Sequence, residues 1–203
     1  MQKKDRRMKN MPNTKDDKLH EDVQHLFQQE DTYTVEHSFR VAKIAHVLGI
    51  AMHLCEQEME TLNKASELHD IGKTKINIEI LNKPGRLTDE EFDEVKNHSK
   101  YGYLIIKPLN DIIADIIFAH HERYDGKGYP NGLSGNSIPF LARIIAVADS
   151  LDAMSSDRCY RKALPWKTCI SEIDRNNGIM YDPDVVNAFH LCQDEISQII
   201  SNL

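Results

Sequence analysis

Histidine and aspartate offer the most chemistry in this chain, and their spacing is unusual. The 203 residues include ten histidines, far more than a chain of this size needs. Several fall on apolar helical stripes. His37 lines up with Val41, Ile44 and Leu48; His69 follows Leu62 and Ala65, with Asp70 next in line; His120 follows Ile113, Ile116 and Ile117; Asp149 follows Ala142, Ile145 and Ala146. His121 adjoins His120 at a predicted helix end, where a change of direction lets both rings converge. His98, three residues after Val95, is a weaker match. One histidine on such a stripe is usually a hydrogen-bonded core residue. An unpaired buried carboxylate, however, costs on the order of several kcal/mol, so Asp70 and Asp149 need cationic partners. The nearby lysines and arginines are too few to pair the whole set separately. A shared metal cluster accounts for it, because cations accept neutral imidazoles and ionised carboxylates together. The side chains His37, His69, Asp70, His98, His120, His121 and Asp149 exceed the ligands of one tetrahedral zinc and fit two adjacent divalent ions with one carboxylate bridging. No thiolate belongs to the set, so iron or manganese suits it better than structural zinc.

The elements that must carry these residues are helical. Strict apolar alternation is missing over any long run, so an all-α fold with few or no strands is expected. Helices are predicted over 21–29, 34–49, 57–70, 89–98, 101–107, 110–122, 138–154, 165–176 and 183–201. Thr88 and Glu91 form a capping-box pattern, and Asp182-Pro183 opens the last helix with a cap and a first-turn proline. Two loops stand out: Asn82-Lys83-Pro84-Gly85-Arg86, and Glu122 to Pro139 with Gly126, Gly128, Pro130, Gly132 and Gly135. Residues 1–20, dense in charge and interrupted by Pro12, read as a solvated tail, with one domain over 21–203.

Composition narrows the function classes. The formal net charge of −7 argues against a broad DNA-binding surface while allowing a local basic pocket. No apolar run reaches the length of a membrane span, since Asp115 interrupts the greasiest stretch, 112–119. The first ten residues carry five basic side chains and no apolar core, unlike a secretory signal. Cys55, Cys159, Cys169 and Cys192 are scattered, as reduced thiols of a cytoplasmic protein would be.

With these residues in view, the chain resembles the HD-GYP family of bacterial cyclic di-nucleotide phosphodiesterases, a branch of the HD-domain metal-dependent phosphohydrolases. The resemblance covers roughly residues 34–190. Its motifs are Leu68-His69-Asp70-Ile71-Gly72-Lys73, Asn82-Lys83-Pro84-Gly85, His120-His121-Glu122-Arg123-Tyr124-Asp125-Gly126-Lys127-Gly128-Tyr129-Pro130, Ile138-Pro139, Ala142-Arg143-Ile144, Asp149-Ser150-Leu151-Asp152-Ala153 and Ser156-Asp157-Arg158. It implies an HD-domain helical bundle with a glycine-rich GYP loop, and hydrolysis of cyclic di-GMP to linear pGpG, in some members onward to GMP. His37, His69, Asp70 and Asp149 match the positions that hold one metal. Asp70 as the bridge, with His98, His120 and His121, matches the second. Members with a third metal carry a glutamate four residues before the first histidine; here that position is Tyr33, and Glu36 points elsewhere on the helix, so two metals are expected. Cys159 stands where the family usually has proline.

The implied mechanism is in-line attack on phosphorus by a metal-bridging hydroxide. Asp70 and Lys73 are the expected catalytic pair, Lys73 as the cation beside the metals if the helix continues past His69. Arg158 and Arg161 match family positions that contact substrate phosphates, which suits the planar guanidinium fork. Tyr129 is placed to stack on guanine, or to stiffen the loop. Asp152, one turn after Asp149, is placed to orient a ligand or Lys73 from behind, or to cap the next turn. Arg123 and Asp125 are read as tying the loop together, and Arg143 as either a buried ion-pair partner or a phosphate contact. A signalling protein partner at the GYP loop is a further expectation. Two competing readings are a catalytically weak cyclic di-nucleotide sensor, which predicts lost ligands where none of the seven is lost, and an HD phosphohydrolase for another nucleotide such as cyclic GMP-AMP.

Overall fold

The computed structural model describes residues 32–157 and 162–201, with side chains from residue 35 onward. Among these residues are nine α-helices: α1 Thr32–Ala51, α2 Glu56–Leu68, α3 Ile78–Leu81, α4 Asp89–Lys96, α5 His98–Ile106, α6 Asp111–Ala119, α7 Phe140–Ser155, α8 Trp166–Arg175 and α9 Pro183–Ser201. Two 3-10 turns, Ile71–Lys75 and Gly135–Ser137, complete the regular structure. No strand forms among the described residues beyond an isolated bridge between Asn177 and Tyr181, and no helix is long and apolar enough to cross a membrane. The predicted helix over 21–29, together with Arg158, Cys159 and Arg161, lies outside the described residues. Of Tyr33 only the backbone is described.

α1 is the central element and packs on α2, α7 and α9. Its buried stripe is Val41, Ile44, Ala45 and Leu48, the stripe that begins with His37. Leu62, Ala65 and Leu68 of α2, Ile113, Ile116 and Ile117 of α6, Ile144, Ile145 and Leu151 of α7, and Val185, Phe189 and Ile196 of α9 close the same core. Each large aliphatic side chain buried this way contributes roughly 1.5–3 kcal/mol. That core therefore fixes, with little slack, the helix ends that carry the polar groups. The caps follow the sequence: Thr88 Oγ1 accepts from Glu91 N at 3.2 Å while Thr88 N donates to Glu91 Oε2 at 2.7 Å, and Asp182 Oδ1 accepts from Asp184 N at 2.8 Å.

Three departures from the sequence pattern matter for the site. The helix predicted to reach residue 70 stops at Leu68, and the chain passes through Asp70 (φ −100°, ψ 2°) into the 3-10 turn. That tighter turn presses Gly72 onto α5: a Cβ there would stand 1.9 Å from His98 O and 2.5 Å from Gly102 N. No other residue fits so close to backbone. Second, the helix predicted over 89–98 breaks at Asn97, so His98 is the first residue of α5 rather than the last of α4. Third, α3 is too short to carry a periodic signal.

Candidate metal centre

Five elements contribute side chains to one buried place. His37 comes from α1, His69 and Asp70 from just past α2, His98 from the start of α5, His120 and His121 from the end of α6, and Asp149 from α7. The ring centroids of His37 and His69 lie 5.3 Å apart, those of His69 and His120 5.1 Å, those of His98 and His120 5.3 Å, and those of His98 and His121 4.9 Å. Asp70 stands between two groups of potential ligand atoms. His37, His69 and Asp70 form one; Asp70, His98, His120 and His121 form the other; within each, the atoms lie within 4.8 Å of one another. The two Asp70 oxygens divide accordingly: Oδ2 is 3.5 Å from His37 Nε2 and 3.3 Å from His69 Nε2, and Oδ1 is 3.5 Å from His98 Nε2. Asp149 Oδ1 joins the first group, 3.2 Å from His37 Nε2.

The backbone decides which nitrogen each ring offers. His69 Nδ1 donates to Ser66 O at 2.7 Å, His98 Nδ1 to Val95 O at 2.7 Å, and His120 Nδ1 to Ile117 O at 2.6 Å. Each ring therefore sits at a helix boundary, reaching a carbonyl three residues back, and points the Nε2 lone pair into the cluster. His37 uses a side chain instead: its Nδ1 donates to Asp152 Oδ2 at 2.6 Å. His69 Nε2 is buried, and although Asp70 Oδ2 stands 3.3 Å away, no well-formed hydrogen bond reaches it among the described residues. A buried nitrogen left in that state is costly in an apolar core, and a cation among these imidazoles and carboxylates would satisfy it. The donor set thus fits metal ions.

Electrostatics divides the cluster. Burial works to raise the Asp70 carboxyl, but Lys73 and the neighbouring histidines outweigh it and hold it well below the usual carboxylate range. Asp149 is likewise held far down against its burial, chiefly by the hydrogen bond and charge of His37. Burial opposes a proton on His37, yet hydrogen bonds to Asp149 and Asp152 prevail and raise it to about 9. On the other side burial dominates: it lowers His98, drives His120 well below the ordinary imidazole value and takes His121 to about 3. These rings are neutral, as metal ligands must be.

Lys73 reaches the centre by a route the sequence did not indicate. The helix does not continue past His69; the 3-10 turn instead brings Lys73 Nζ to 2.5 Å from Asp70 Oδ2, with the side chain 28% exposed. Asp152 backs His37, its Oδ2 accepting the Nδ1 proton at 2.6 Å. Tyr129, half-buried, sets its ring 4.8 Å from that of His121 and 6.5 Å from that of His98. Burial and the Asp70 and Asp149 charges push its phenol up, so it stays protonated. Arg123 and Asp125 pair within the loop, and Arg143 pairs with Asp182 and Asn136, away from the cluster. His46 and His190 bind Asn63 and Asp174. Two residues escaped the sequence reading. Arg40, three residues after His37 and so on its face, binds Asp152. Glu122, directly after the histidine pair, is buried and holds the loop through Asn131 N at 2.7 Å and Leu133 N at 3.0 Å.

A family model described as an HD domain matches residues 17–185. The chain belongs to the HD domain family. It is 39% identical over 178 residues to a cyclic di-GMP phosphodiesterase of Thermotoga maritima, a match covering 86% of this chain and 48% of that protein. It is 35% identical over 173 residues to a 3'3'-cGAMP-specific phosphodiesterase of Vibrio cholerae, covering 82% and 38%. Among solved structures, an HDG"Y"P protein of Bdellovibrio bacteriovorus superposes with a TM-score of 0.66 at 16% identity, over 85% of this chain and 56% of that one. This HD domain therefore spans about half or less of the length of the curated relatives it matches. The helical fold and the HD-GYP resemblance are borne out.

Proposed function

We propose that this HD domain is a metal-dependent phosphodiesterase that opens cyclic di-GMP to linear pGpG. The observation that carries the reading is the convergence of five imidazoles and two carboxylates, with His69 Nε2 buried among them and lacking a well-formed hydrogen bond among the described residues. His37, His69, Asp70 and Asp149 would hold one divalent ion, and Asp70, His98, His120 and His121 a second; the mixed nitrogen and oxygen set favours iron or manganese. When bound, such ions make water nucleophilic near neutral pH and offset charge developing on phosphorus.

The chain's own residues do the rest. Asp70 stays ionised and shared between the two groups, held down by Lys73 and its histidines. Lys73 lies at the accessible edge, where its ammonium can meet a phosphate oxygen. Tyr129 offers ring surface for a guanine beside His121. Arg158 and Arg161 are assigned to the substrate phosphates on the resemblance alone. Cyclic di-GMP is put first because the Thermotoga relative carries that name at the higher identity; the Vibrio relative supports cyclic GMP-AMP as the second reading.

A release assay on the manganese- or iron-loaded protein tests this, with cyclic di-GMP, cyclic GMP-AMP and a plain nucleotide as substrates. Linear product from cyclic di-GMP is expected. Turnover of the plain nucleotide only would overturn the assignment.

A further inference from the structure

Arg40 belongs to no motif, yet it ends on the carboxylate that holds a cluster histidine. Its Nε donates to Asp152 Oδ1 at 2.6 Å and its Nη2 to Asp152 Oδ2 at 3.1 Å. The same Oδ2 accepts the His37 Nδ1 proton at 2.6 Å. Arg40 and Asp152 side chains are 12% and 1% exposed, so water does little to screen or replace these bonds. The three groups come from two helices far apart in sequence, α1 and α7, and the helical offset of three puts Arg40 beside His37 on α1.

The geometry makes a chain of restraint. Among the described residues Asp152 is the one hydrogen-bond partner of His37 Nδ1, where His69, His98 and His120 use backbone carbonyls that cannot turn. A carboxylate on a short side chain can rotate about its own bonds. The guanidinium fork grips both oxygens and removes that freedom, which an ammonium on a single oxygen would not do. We infer that Arg40 is a positioning residue: by clamping Asp152 it fixes the plane of the His37 ring and so sets the affinity of the His37–His69–Asp70 group for its ion, leaving the His98–His120–His121 group unaffected.

This inference rests on the two-ion reading of the centre. The test is titration of the chelated full chain with Mn²⁺, following free ion by electron paramagnetic resonance, for the wild type, Arg40→Met, Asp152→Asn and the double variant. Two classes of site are expected in the wild type. In Arg40→Met one class should weaken by about 10- to 100-fold, the usual worth of an outer partner of a ligand, while the other stays within twofold. Asp152→Asn should weaken the same class, and the double variant should lose nothing beyond Asp152→Asn, because Arg40 acts through Asp152. Equal affinities in Arg40→Met and wild type would overturn the inference. So would equal weakening of both classes with a lower melting temperature of the chelated protein, which is what a merely structural role predicts. Arg40→Gln is measured alongside, so that a folding failure of the methionine variant leaves a decisive result. A wild type that binds no Mn²⁺ would instead sink the two-ion reading itself.

Discussion

His37 and His120 both turn Nε2 toward the same buried cluster, yet different kinds of partner hold them. His120 leans on Ile117 O, three residues back on its own helix. His37 leans on Asp152, 115 residues away, which leans in turn on Arg40. The difference extends to charge. Asp70, Asp149 and Asp152 surround His37 and draw it toward the protonated form, while His98, His120 and His121 are kept neutral by burial. On one side His37 is held by side-chain electrostatics across the fold, although its neighbour His69 leans on Ser66 O; on the other, His98 and His120 are held by local backbone geometry alone. Asp70 is the group they share.

Removing that shared group is the harshest way to break the comparison. Asp70→Ala is expected to empty both sides and abolish activity together, by more than the roughly 10- to 100-fold that an outer partner is worth. Elemental analysis of the purified variant checks it. Full metal stoichiometry would mean that the sides are independent.

The backbone-built side should break by steric means instead. Gly72→Ala would place a methyl 1.9 Å from His98 O, against main chain that cannot swing aside. A loss of about 3 kcal/mol or more is expected, read as a shift in the urea midpoint at constant slope. A midpoint within error of the wild type would show that α5 can retreat and that His98 is less fixed than its hydrogen bond suggests.

This division also explains what could be read from the sequence. The helical stripes and the histidines on them were legible, because burial on a helix leaves a period in the chain: His37 with Val41 and Ile44, and His120 with Ile113 and Ile116. The caps at Thr88 and Asp182 were legible for the same local reason. The turn after Leu68 was not. A helix and a 3-10 turn differ there by the close approach of Gly72 to α5, a contact between chain segments that no window of sequence contains. Lys73 was consequently placed by a helix continuing past His69, where the 3-10 turn instead carries its Nζ to Asp70 Oδ2. Arg40 was missed because its partner lies 112 residues away, and Glu122 because its partners are backbone N–H groups, which carry no sequence signature.

pH should separate the two sides in the chelated protein. His98, His120 and His121 bind protons less readily folded than unfolded, so the unfolded chain gains protons first as pH falls below about 6.5. Stability then drops by up to about 1.4 kcal/mol per pH unit for each imidazole, toward the value of about 3 for His121. His37 acts with the opposite sign. Raised to about 9, it contributes fully below about 6.5 and that contribution is lost as pH rises through about 9. Asp70 and Asp149, held low, add stability that is lost only in more acidic solution, below about 4. Urea unfolding across pH should therefore give a maximum near 6.5 with falling limbs on both sides. Replacing His37 by glutamine should flatten the alkaline limb alone; a symmetric response would contradict the division.

The smallest effect concerns the loop that covers the backbone-built side. Glu122 closes it with two acceptor bonds, to Asn131 N and Leu133 N, and Tyr129 N donates to His121 O at 3.2 Å between them. Gly128 lies so close that a Cβ would meet Arg123 N at 2.3 Å, so the loop is pressed onto the histidine pair rather than draped over it. Glu122→Gln keeps one oxygen but sets an amide NH₂ against a backbone N–H. The cost is about 1–3 kcal/mol, confined to the loop. Faster hydrogen exchange at the Asn131 and Leu133 amides is expected, with a several-fold rise in KM for the cyclic dinucleotide and an unchanged metal content. Unchanged exchange would mean that the Arg123–Asp125 pair and the bonds from Tyr124 and Asp125 to Met180 O and Ile179 O hold the loop without Glu122. Lost metal would mean that His121 depends on the loop as His37 depends on Asp152, which would erase the contrast between the two sides.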